Sequence, residues 1–148
     1  MNEHYFEQIC QFLRLQKQLG DQYDEWMARA GKRLGLSKPE ADVLLFLVNN
    51  PQYNTARDVV ANRALSKTYV SKAVEQLSER GFLRTEICDA DRRLQFLRLL
   101  PAAAGPVQAL RRYQMEFFQR LTDGLSPEDS AFLGRLFQRV QMNLDRIR

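Results

Sequence analysis

The chain has 148 residues, of which 45% are hydrophobic and 27% charged, as expected for one folded domain or one domain with an oligomerisation element. No apolar run is long enough to span a bilayer and no signal peptide is indicated, so we expect a cytoplasmic protein without a membrane partner. The formal net charge is +4, and residues 55–98 hold nine Lys and Arg against six Asp and Glu. This excess favours a polyanionic partner, although an ordinary solvated surface would also carry it.

Residues that enzymes use for chemistry are scarce in this chain. There is one histidine, His4, and there is no glycine-rich phosphate loop, metal-ligand cluster or nucleophile motif. A tetrahedral zinc site would therefore be poorly supplied with ligands. Cys10 and Cys88 are distant in sequence, and a disulfide between them is disfavoured in the cytosol. The sequence does not decide whether either thiol is redox-active. We expect no enzymatic activity, no metal and no cofactor.

Two helices are predicted in the first third of the chain. The first runs from about Glu3 to Lys32 because apolar residues recur there at helical spacing. The second begins at Ser37-Lys38-Pro39-Glu40, a capping box in which Ser37 is the N-cap and Glu40 reaches back to it. It ends at Asn49-Asn50-Pro51, a sequence that stops helices.

The middle of the chain predicts two short helices followed by two strands. Thr55 caps the third helix, with Asp58 three residues further on, and Ser66 caps the fourth. Gly81 stands where a glycine commonly ends a helix. Residues 82–87 and 94–99 are strand candidates, and the polar segment 88–93 is their turn.

The fourth helix has two different faces. Its apolar face consists of Val70, Ala73, Val74 and Leu77. Its polar face consists of Lys67, Thr68, Ser71, Lys72 and Gln76. An α-helix fits the major groove of B-DNA, where small polar and cationic side chains reach base edges and phosphates. Together with the basic turn between the strands, this helix indicates a unit that enters DNA grooves.

Two long helices are predicted in the last third. The fifth begins near Ala102 or Pro106 and runs to Thr122. The sixth begins at Ser126-Pro127-Glu128-Asp129, which has a serine N-cap, a proline at the first helical position and an acidic residue at the third. Apolar residues recur along the sixth helix every three or four positions from Phe132 to Ile147.

The apolar stripes of the terminal helices must be buried against something. A second copy of the chain in a two-fold interface is favoured, and a monomeric helical bundle is the alternative. The predicted interface residues are Phe6, Ile9, Leu13, Phe117, Leu121, Phe132, Leu136, Val140 and Leu144.

Leu65–Leu83 and the turn Asp89-Ala90-Asp91-Arg92-Arg93 together resemble the MarR family of bacterial winged helix-turn-helix regulators. The order of helices extends the resemblance to nearly the whole chain. It implies a mainly α fold with a small β wing. Residues 1–36 would form an N-terminal dimerisation helix, residues 37–100 the DNA-binding domain and residues 101–148 the C-terminal dimerisation helices, all integrated in one domain.

The resemblance also implies a function. Its members are homodimers that bind pseudo-palindromic operators in double-stranded DNA, usually as repressors, and a small molecule can loosen that binding from a crevice. We therefore expect a sequence-specific transcriptional regulator with a possible small-molecule effector. The alternative is a winged-helix protein-interaction module that does not bind DNA. Neither the operator nor the effector is named by the sequence.

The candidate DNA-binding residues lie on the third helix, the fourth helix and the wing. They are Thr55, Arg57, Ser66, Lys67, Thr68, Tyr69, Ser71, Lys72, Arg92 and Arg93. Tyr69 either packs under the helix or reaches a base. Asp91 is expected to brace one wing arginine while the other faces DNA, and the alternative is that the arginines only pair with Asp89 or Asp91 to shape the turn.

Tyr23, Trp26 and Met27 are candidates for the ligand crevice. They lie on one stretch of the first helix, where aromatic residues alternatively form part of the core. The sequence leaves both possibilities open.

Overall fold

The computed structural model describes residues 3–147, so residues 1, 2 and 148 of the predicted terminal segments lie outside the described part. The elements in chain order are α1 Glu3–Arg33, α2 Lys38–Asn49, α3 Ala56–Arg63, α4 Lys67–Glu79, β1 Leu83–Ile87, β2 Gln95–Leu99, a 3-10 helix Pro101–Ala103, α5 Ala104–Leu121 and α6 Pro127–Ile147. The predicted fold class, a mainly α winged helix-turn-helix, is confirmed. Within residues 3–147, no helix has the combination of length and apolar character that crossing a membrane requires.

The chain divides into two compact units, with the boundary inside α5 between Gln114 and Met115. The first unit contains the winged region together with α1 and the first part of α5, and all of them contribute to one apolar core. The second unit contains the rest of α5 and α6. The predicted division into dimerisation and DNA-binding segments concerns function and stays a prediction.

The core of the first unit is built around α2. Val43 and Leu44 have no exposed surface, and Met27 of α1 and Leu110 of α5 are also buried. At Gly31 of α1, an added Cβ atom would lie 3.2 Å from the carbonyl oxygen of Leu36 in the following loop and 3.4 Å from the Cβ atom of Ala41 in α2, so the two helices approach closely there. This tight core fixes the base on which α3, α4 and the wing are built.

The predicted helix starts are confirmed by their hydrogen bonds. Ser37 and Thr55 each form a reciprocal capping box with the acidic residue three positions later. The Ser66 side chain accepts a hydrogen bond from the Tyr69 backbone N–H. At the other end of α4, Gly81 has φ +72°, and the Phe82 N–H donates to the Leu77 carbonyl, which ends the helix as predicted.

The two strands form an antiparallel hairpin in which Leu83 pairs with Leu99 and Ile87 with Gln95. The hairpin is joined to the start of α3, because the Leu97 N–H donates to the Asn54 carbonyl at 2.7 Å and Thr55 bridges to Phe96. The wing is therefore tied to the helix-turn-helix by backbone hydrogen bonds.

The start of α5 lies between the two predicted positions. Ala102 lies inside the 3-10 helix, and the α-helix begins at Ala104, before Pro106. Pro101 occupies the first position of the 3-10 turn, where its missing N–H costs nothing. The chain thus turns into α5 through one tight turn.

Candidate nucleic-acid interface

A groove of about 590 Å³ lies between α3, α4 and the wing. Its lining residues are Ala56, Arg57, Val60, Lys67, Val70, Ser71, Val74, Arg92, Arg93, Leu94 and Gln95. Arg57, Lys67, Arg92 and Arg93 are cationic, and no acidic side chain is among these described lining residues. Three separate elements therefore contribute positive charge to one concave surface.

One face of α4 is buried and the other is exposed. Val70, Ala73 and Leu77 pack into the core, and each is at most 1% exposed. On the opposite side, Lys67, Thr68, Ser71 and Lys72 are all exposed. The exposed side thus consists of two short hydroxyl side chains between two long cationic ones, on a helix whose position is fixed from behind.

Ser66 and Arg57 flank this exposed face. The Ser66 side chain is the N-cap of α4, and it lies at the end of the helix where free backbone N–H groups attract anions. Arg57 is exposed on the first turn of α3 and lines the groove. Both residues are exposed, and Arg57 lines the same groove as Lys67 of the first α4 turn.

The wing turn is shaped by Asp91 through the backbone. The Asp91 Oδ1 atom accepts a hydrogen bond from the Arg93 N–H at 3.0 Å, and the Asp91 carbonyl accepts one from the Leu94 N–H. Both arginine side chains are exposed, and across residues 3–147 neither forms an ion pair within 4 Å. The predicted bracing therefore acts on the main chain and leaves both guanidinium groups facing outward.

The prediction that Thr55 contacts DNA needs correction. Its residue surface is 8% exposed, and its hydroxyl donates to the Asp58 carboxylate at 2.7 Å while accepting from the Asp58 N–H. The backbone bridge to Phe96 covers it further. Thr55 shapes the start of α3 and does not present its side chain to a ligand.

Tyr69 packs under the helix, which is one of the two alternatives the sequence left open. Its hydroxyl donates to the Asp42 Oδ2 atom at 3.0 Å, and the ring packs against the core. Burial, together with the nearby Asp42 carboxylate, raises the pKa of the Tyr69 hydroxyl, so the group keeps its proton and acts as a donor.

Asp42 was missed by the sequence analysis, although a signal for it was present. A carboxylate stands in an otherwise apolar run of α2, Ala41–Leu47, and such a residue must find partners when buried. Asp42 is 6% exposed and lies 2.7 Å from the Lys38 Nζ atom and 3.7 Å from the Arg63 Nη2 atom. The partners come from three helices, so the sequence pattern alone could not name them.

The three candidates for a ligand crevice are part of the packed first unit. Met27 is 2% exposed and belongs to the core. The Trp26 Nε1 atom donates to the Tyr113 carbonyl at 2.9 Å, and the Tyr23 hydroxyl accepts from the Gln114 Nε2 atom at 2.7 Å. Burial raises the pKa of Tyr23. For Met27 the core alternative applies, while Tyr23 and Trp26 keep part of their surface exposed.

The predicted interface residues are largely exposed within the chain. On α1, Phe6 and Leu13 are 55% and 57% exposed. In the second unit, Phe117 is half-buried, Leu121 is 49% exposed, and α6 buries none of its described side chains. Phe132, Leu136, Val140 and Leu144 thus form an uncovered apolar stripe along α6.

The comparisons with known proteins agree with this geometry. Residues 34–94, which extend from the end of α1 to the wing turn, match the model of the MarR family. None of the curated proteins compared with the chain matches it significantly.

Solved structures match over nearly the full length. The transcriptional regulator PA3341 has 21% identity and a TM-score of 0.79, covering 91% of this chain and 98% of its own. A MarR-family regulator from Silicibacter pomeroyi has 21% identity and a TM-score of 0.72, with 85% of each chain covered. BpsR of Bordetella bronchiseptica, whose DNA binding is regulated by 6-hydroxynicotinic acid, has 20% identity and a TM-score of 0.68, covering 88% of this chain and 98% of its own.

Proposed function

We propose that this chain, whose residues 34–94 match the MarR family model, is a DNA-binding transcriptional regulator of that family and not an enzyme, and that it acts as a homodimeric repressor. The dimer binds a pseudo-palindromic operator in double-stranded DNA and is released by a small-molecule effector. The observation that carries the DNA-binding part of this proposal is the basic groove between α3, α4 and the wing.

The arrangement of charges around the groove fits one strand of a DNA duplex. The exposed face of α4 enters the major groove, where Thr68 and Ser71 reach base edges and Lys67 and Lys72 reach phosphates. The wing arginines reach the neighbouring minor groove, which attracts guanidinium groups. The concave surface between them then faces the phosphate chain that separates the two grooves, and its cationic lining neutralises that chain.

The exposed apolar stripes support a homodimer. Burying apolar surface contributes about 25 cal/mol per Å², and large uncovered apolar patches are uncommon on monomeric proteins. Leu136 and Val140 of α6 and Phe6 and Leu13 of α1 are each at least 44% exposed. In a two-fold dimer, the apolar stripes of one copy pack against the same stripes of the second copy, so both are buried.

An aromatic, anionic effector is supported by one of the similar solved structures and by the surroundings of Tyr23. The DNA binding of BpsR is regulated by 6-hydroxynicotinic acid. In this chain, Tyr23 and Trp26 offer half-buried aromatic surface, and the positive charges of Lys38 and Arg63 lie nearby, where they only partly oppose the rise that burial causes in the Tyr23 pKa. An aromatic carboxylate would use both features, through ring packing and charge attraction.

The proposal is tested by selecting bound duplexes from a random DNA pool and measuring their affinity by fluorescence anisotropy at several salt concentrations. We expect an inverted repeat with half-site centres about 10 base pairs apart, since a two-fold dimer reads one face of the duplex. The logarithm of the affinity for both selected and random DNA should fall with the logarithm of the salt concentration.

The alternative, a protein-interaction module, makes the opposite prediction. Such a module would enrich no motif from the pool and would show no salt-dependent binding to random duplexes. That result would contradict the assignment of the basic groove to DNA.

A further inference from the structure

A buried carboxylate beneath the helix-turn-helix has partners on several elements. The Asp42 carboxylate is 2.7 Å from the Lys38 Nζ atom through both of its oxygens, 3.0 Å from the Tyr69 hydroxyl and 3.7 Å from the Arg63 Nη2 atom. The Lys38 Nζ atom is also 3.3 Å from the Asp24 Oδ1 atom of α1. Asp42 is thus linked directly to α3 and α4, and to α1 through Lys38.

The position of these partners along the chain is informative. Arg63 is the last residue of α3, and Tyr69 lies in the first turn of α4. They therefore stand on the two sides of the turn that joins these helices. In that turn Ala64 has φ +49°, a left-handed conformation that is unfavourable for residues other than glycine. A strained turn persists where its surroundings hold it, and Asp42 contacts both of its flanks.

Tyr69 faces the protein interior, whereas the two residues before it in α4 face the solvent. Lys67 and Thr68 occupy the same helical turn and are exposed, whereas the Tyr69 hydroxyl reaches the buried Asp42. Any tilt of this turn about the Tyr69–Asp42 hydrogen bond changes where the exposed side chains point. Apolar contacts such as that of Val70 hold the helix against the core, and the Tyr69–Asp42 hydrogen bond adds a directional contact within its first turn.

We infer that Asp42 and Tyr69 are positioning residues that set the orientation of the first turn of α4 for DNA binding without touching DNA. This inference rests on the proposed DNA-binding function. A hydrogen bond to a carboxylate is short and directional, so it selects one orientation of the helix. When the bond is removed, only a fraction of the molecules holds the competent orientation, and the apparent dissociation constant rises in inverse proportion to that fraction.

The first experiment uses Tyr69→Phe, which removes only the hydroxyl. Tyr5→Phe, at an exposed tyrosine on α1, is the matched control. We expect Tyr69→Phe to bind the selected operator about tenfold more weakly, in line with the loss of one hydrogen bond to a charged group, whereas Tyr5→Phe keeps wild-type affinity. The base preferences and the salt slope should stay as in the wild type, because no base or phosphate contact is removed.

Two results would overturn the inference. Affinity within twofold of the wild type would mean that the hydrogen bond serves folding alone. A changed base preference at one position of the half-site would mean that Tyr69 reads a base directly. The measurements are made well below the unfolding midpoint of each variant, so that the affinities belong to folded protein.

A second set of variants tests the coupling between the two residues. Asp42→Asn keeps an oxygen that accepts from the Tyr69 hydroxyl, and Asp42→Ala does not, so Asn should retain more affinity than Ala. The double variant Asp42→Ala with Tyr69→Phe should bind as Asp42→Ala does, because each change removes the same bond. Additive losses would show that the residues act separately and would contradict the inference.

Hydrogen exchange separates this inference from the proposed function. In free protein, Tyr69→Phe should speed exchange at the backbone amides of residues 65–71, and Tyr5→Phe should not. If the wild type bound no DNA, the proposed function would be wrong. The exchange rates would still show whether the Tyr69–Asp42 hydrogen bond orders the turn. Unchanged exchange in Tyr69→Phe would contradict the positioning role.

Discussion

The Arg80 Nη1 atom lies 2.8 Å from the Glu40 Oε1 atom and thereby joins the end of α4 to the first turn of α2. The same nitrogen donates to the Gly35 carbonyl at 2.9 Å, and the guanidinium lies 4.8 Å from the centre of the Phe82 ring. Glu40 is 4% exposed and is also the acidic partner of the α2 capping box. One ion pair therefore stabilises a helix start, a loop and the far end of α4 together.

The first prediction concerns this pair. Arg80→Met keeps the apolar stem but removes the hydrogen bonds and leaves a buried carboxylate without its cation. We expect a loss of about 1–3 kcal/mol in the free energy of unfolding, reduced because Arg80 itself is partly exposed. Urea unfolding at neutral pH measures it. Arg84→Met is the control, since Arg84 is 64% exposed and pairs at the surface with Glu86, and it should change stability much less.

The same pair predicts a pH dependence. Burial alone would raise the pKa of Glu40, but hydrogen bonds from the Ser37 N–H and from Arg80 outweigh it and hold the pKa below its ordinary value of 4.5. Its stabilising contribution is therefore complete above pH 4.5 and is lost as the pH falls through the lower pKa of the folded state. The difference in stability between wild type and Arg80→Met should shrink over that acid range. A difference that stayed constant down to the acid transition would exclude this linkage.

The second prediction concerns Ala64. Its left-handed φ of +49° is unfavourable for alanine, whereas glycine adopts it freely. Ala64→Gly should therefore raise the free energy of unfolding by up to about 1 kcal/mol. Ala61→Gly is the matched control inside α3, where the same change should lower stability by about 1 kcal/mol. Thermal or urea unfolding compares the two, and equal destabilisation by both would show that Ala64 is not strained.

The local features of this fold could be predicted from the sequence, whereas the long-range ones could not. The start of α2 is determined by a hydrogen-bonded pair only three residues apart, Ser37 and Glu40, so its sequence pattern is sufficient. The two faces of α4 follow in the same way from its periodicity. The burial of Thr55 depends on the Thr55–Phe96 bridge to the hairpin, which lies far outside any local pattern, so the sequence could not exclude Thr55 from the DNA-binding candidates.

The buried polar cluster shows the same limit at the candidate site. Lys38 could be paired with Asp42 from their spacing of four residues on one helix, but Tyr69 is 27 residues away from Asp42 in sequence. Whether the Tyr69 ring packs under α4 or faces outward depends on how closely α2 and α4 pack. That packing is set by side-chain volumes across the whole core, which periodicity does not specify.

The third prediction is the oligomeric state. The uncovered apolar stripe of α6 predicts a dimer at micromolar concentration in analytical ultracentrifugation. Replacing Leu136 and Val140 by Asp should dissociate or unfold it, because a buried unpaired carboxylate is costly. Gln138→Asp, on the same helix but outside the stripe, is the control and should leave the dimer intact. A stable wild-type monomer would contradict the prediction.

The fourth prediction concerns the wing. Arg92 and Arg93 line the basic groove and are held outward by the turn that Asp91 braces. Changing both to Ala should weaken binding to selected and random DNA alike and flatten the salt slope by about one to two units. Arg111→Ala with Arg112→Ala removes the same charge from exposed positions of α5 and serves as the control. If both double variants lowered affinity equally, only net charge would matter and the wing would lose its assigned contact.

The fifth prediction concerns sequence specificity, which the proposed binding mode ascribes to the short side chains of α4. Thr68 and Ser71 are exposed, neutral and short, and on the proposed binding mode they contact base edges. Thr68→Ala or Ser71→Ala should change which base is preferred at one position of the half-site, at a cost of about 1–3 kcal/mol there. The measurement is a comparison of selected motifs and of affinities for single-base variants of the operator.

Lys67 and Lys72 provide the contrast within the same helical face. As long cationic side chains they should bind phosphates, so Lys67→Ala and Lys72→Ala should lower affinity for every sequence and leave the motif unchanged. The affinities of the four alanine variants for a set of operator variants separate the two roles. Loss of a base contact changes the order in which the DNA sequences are preferred, whereas loss of a phosphate contact lowers all affinities together. If Thr68→Ala and Ser71→Ala both kept the wild-type motif, α4 would only position the protein on DNA, and the bases would have to be distinguished by the wing or by the shape of the duplex.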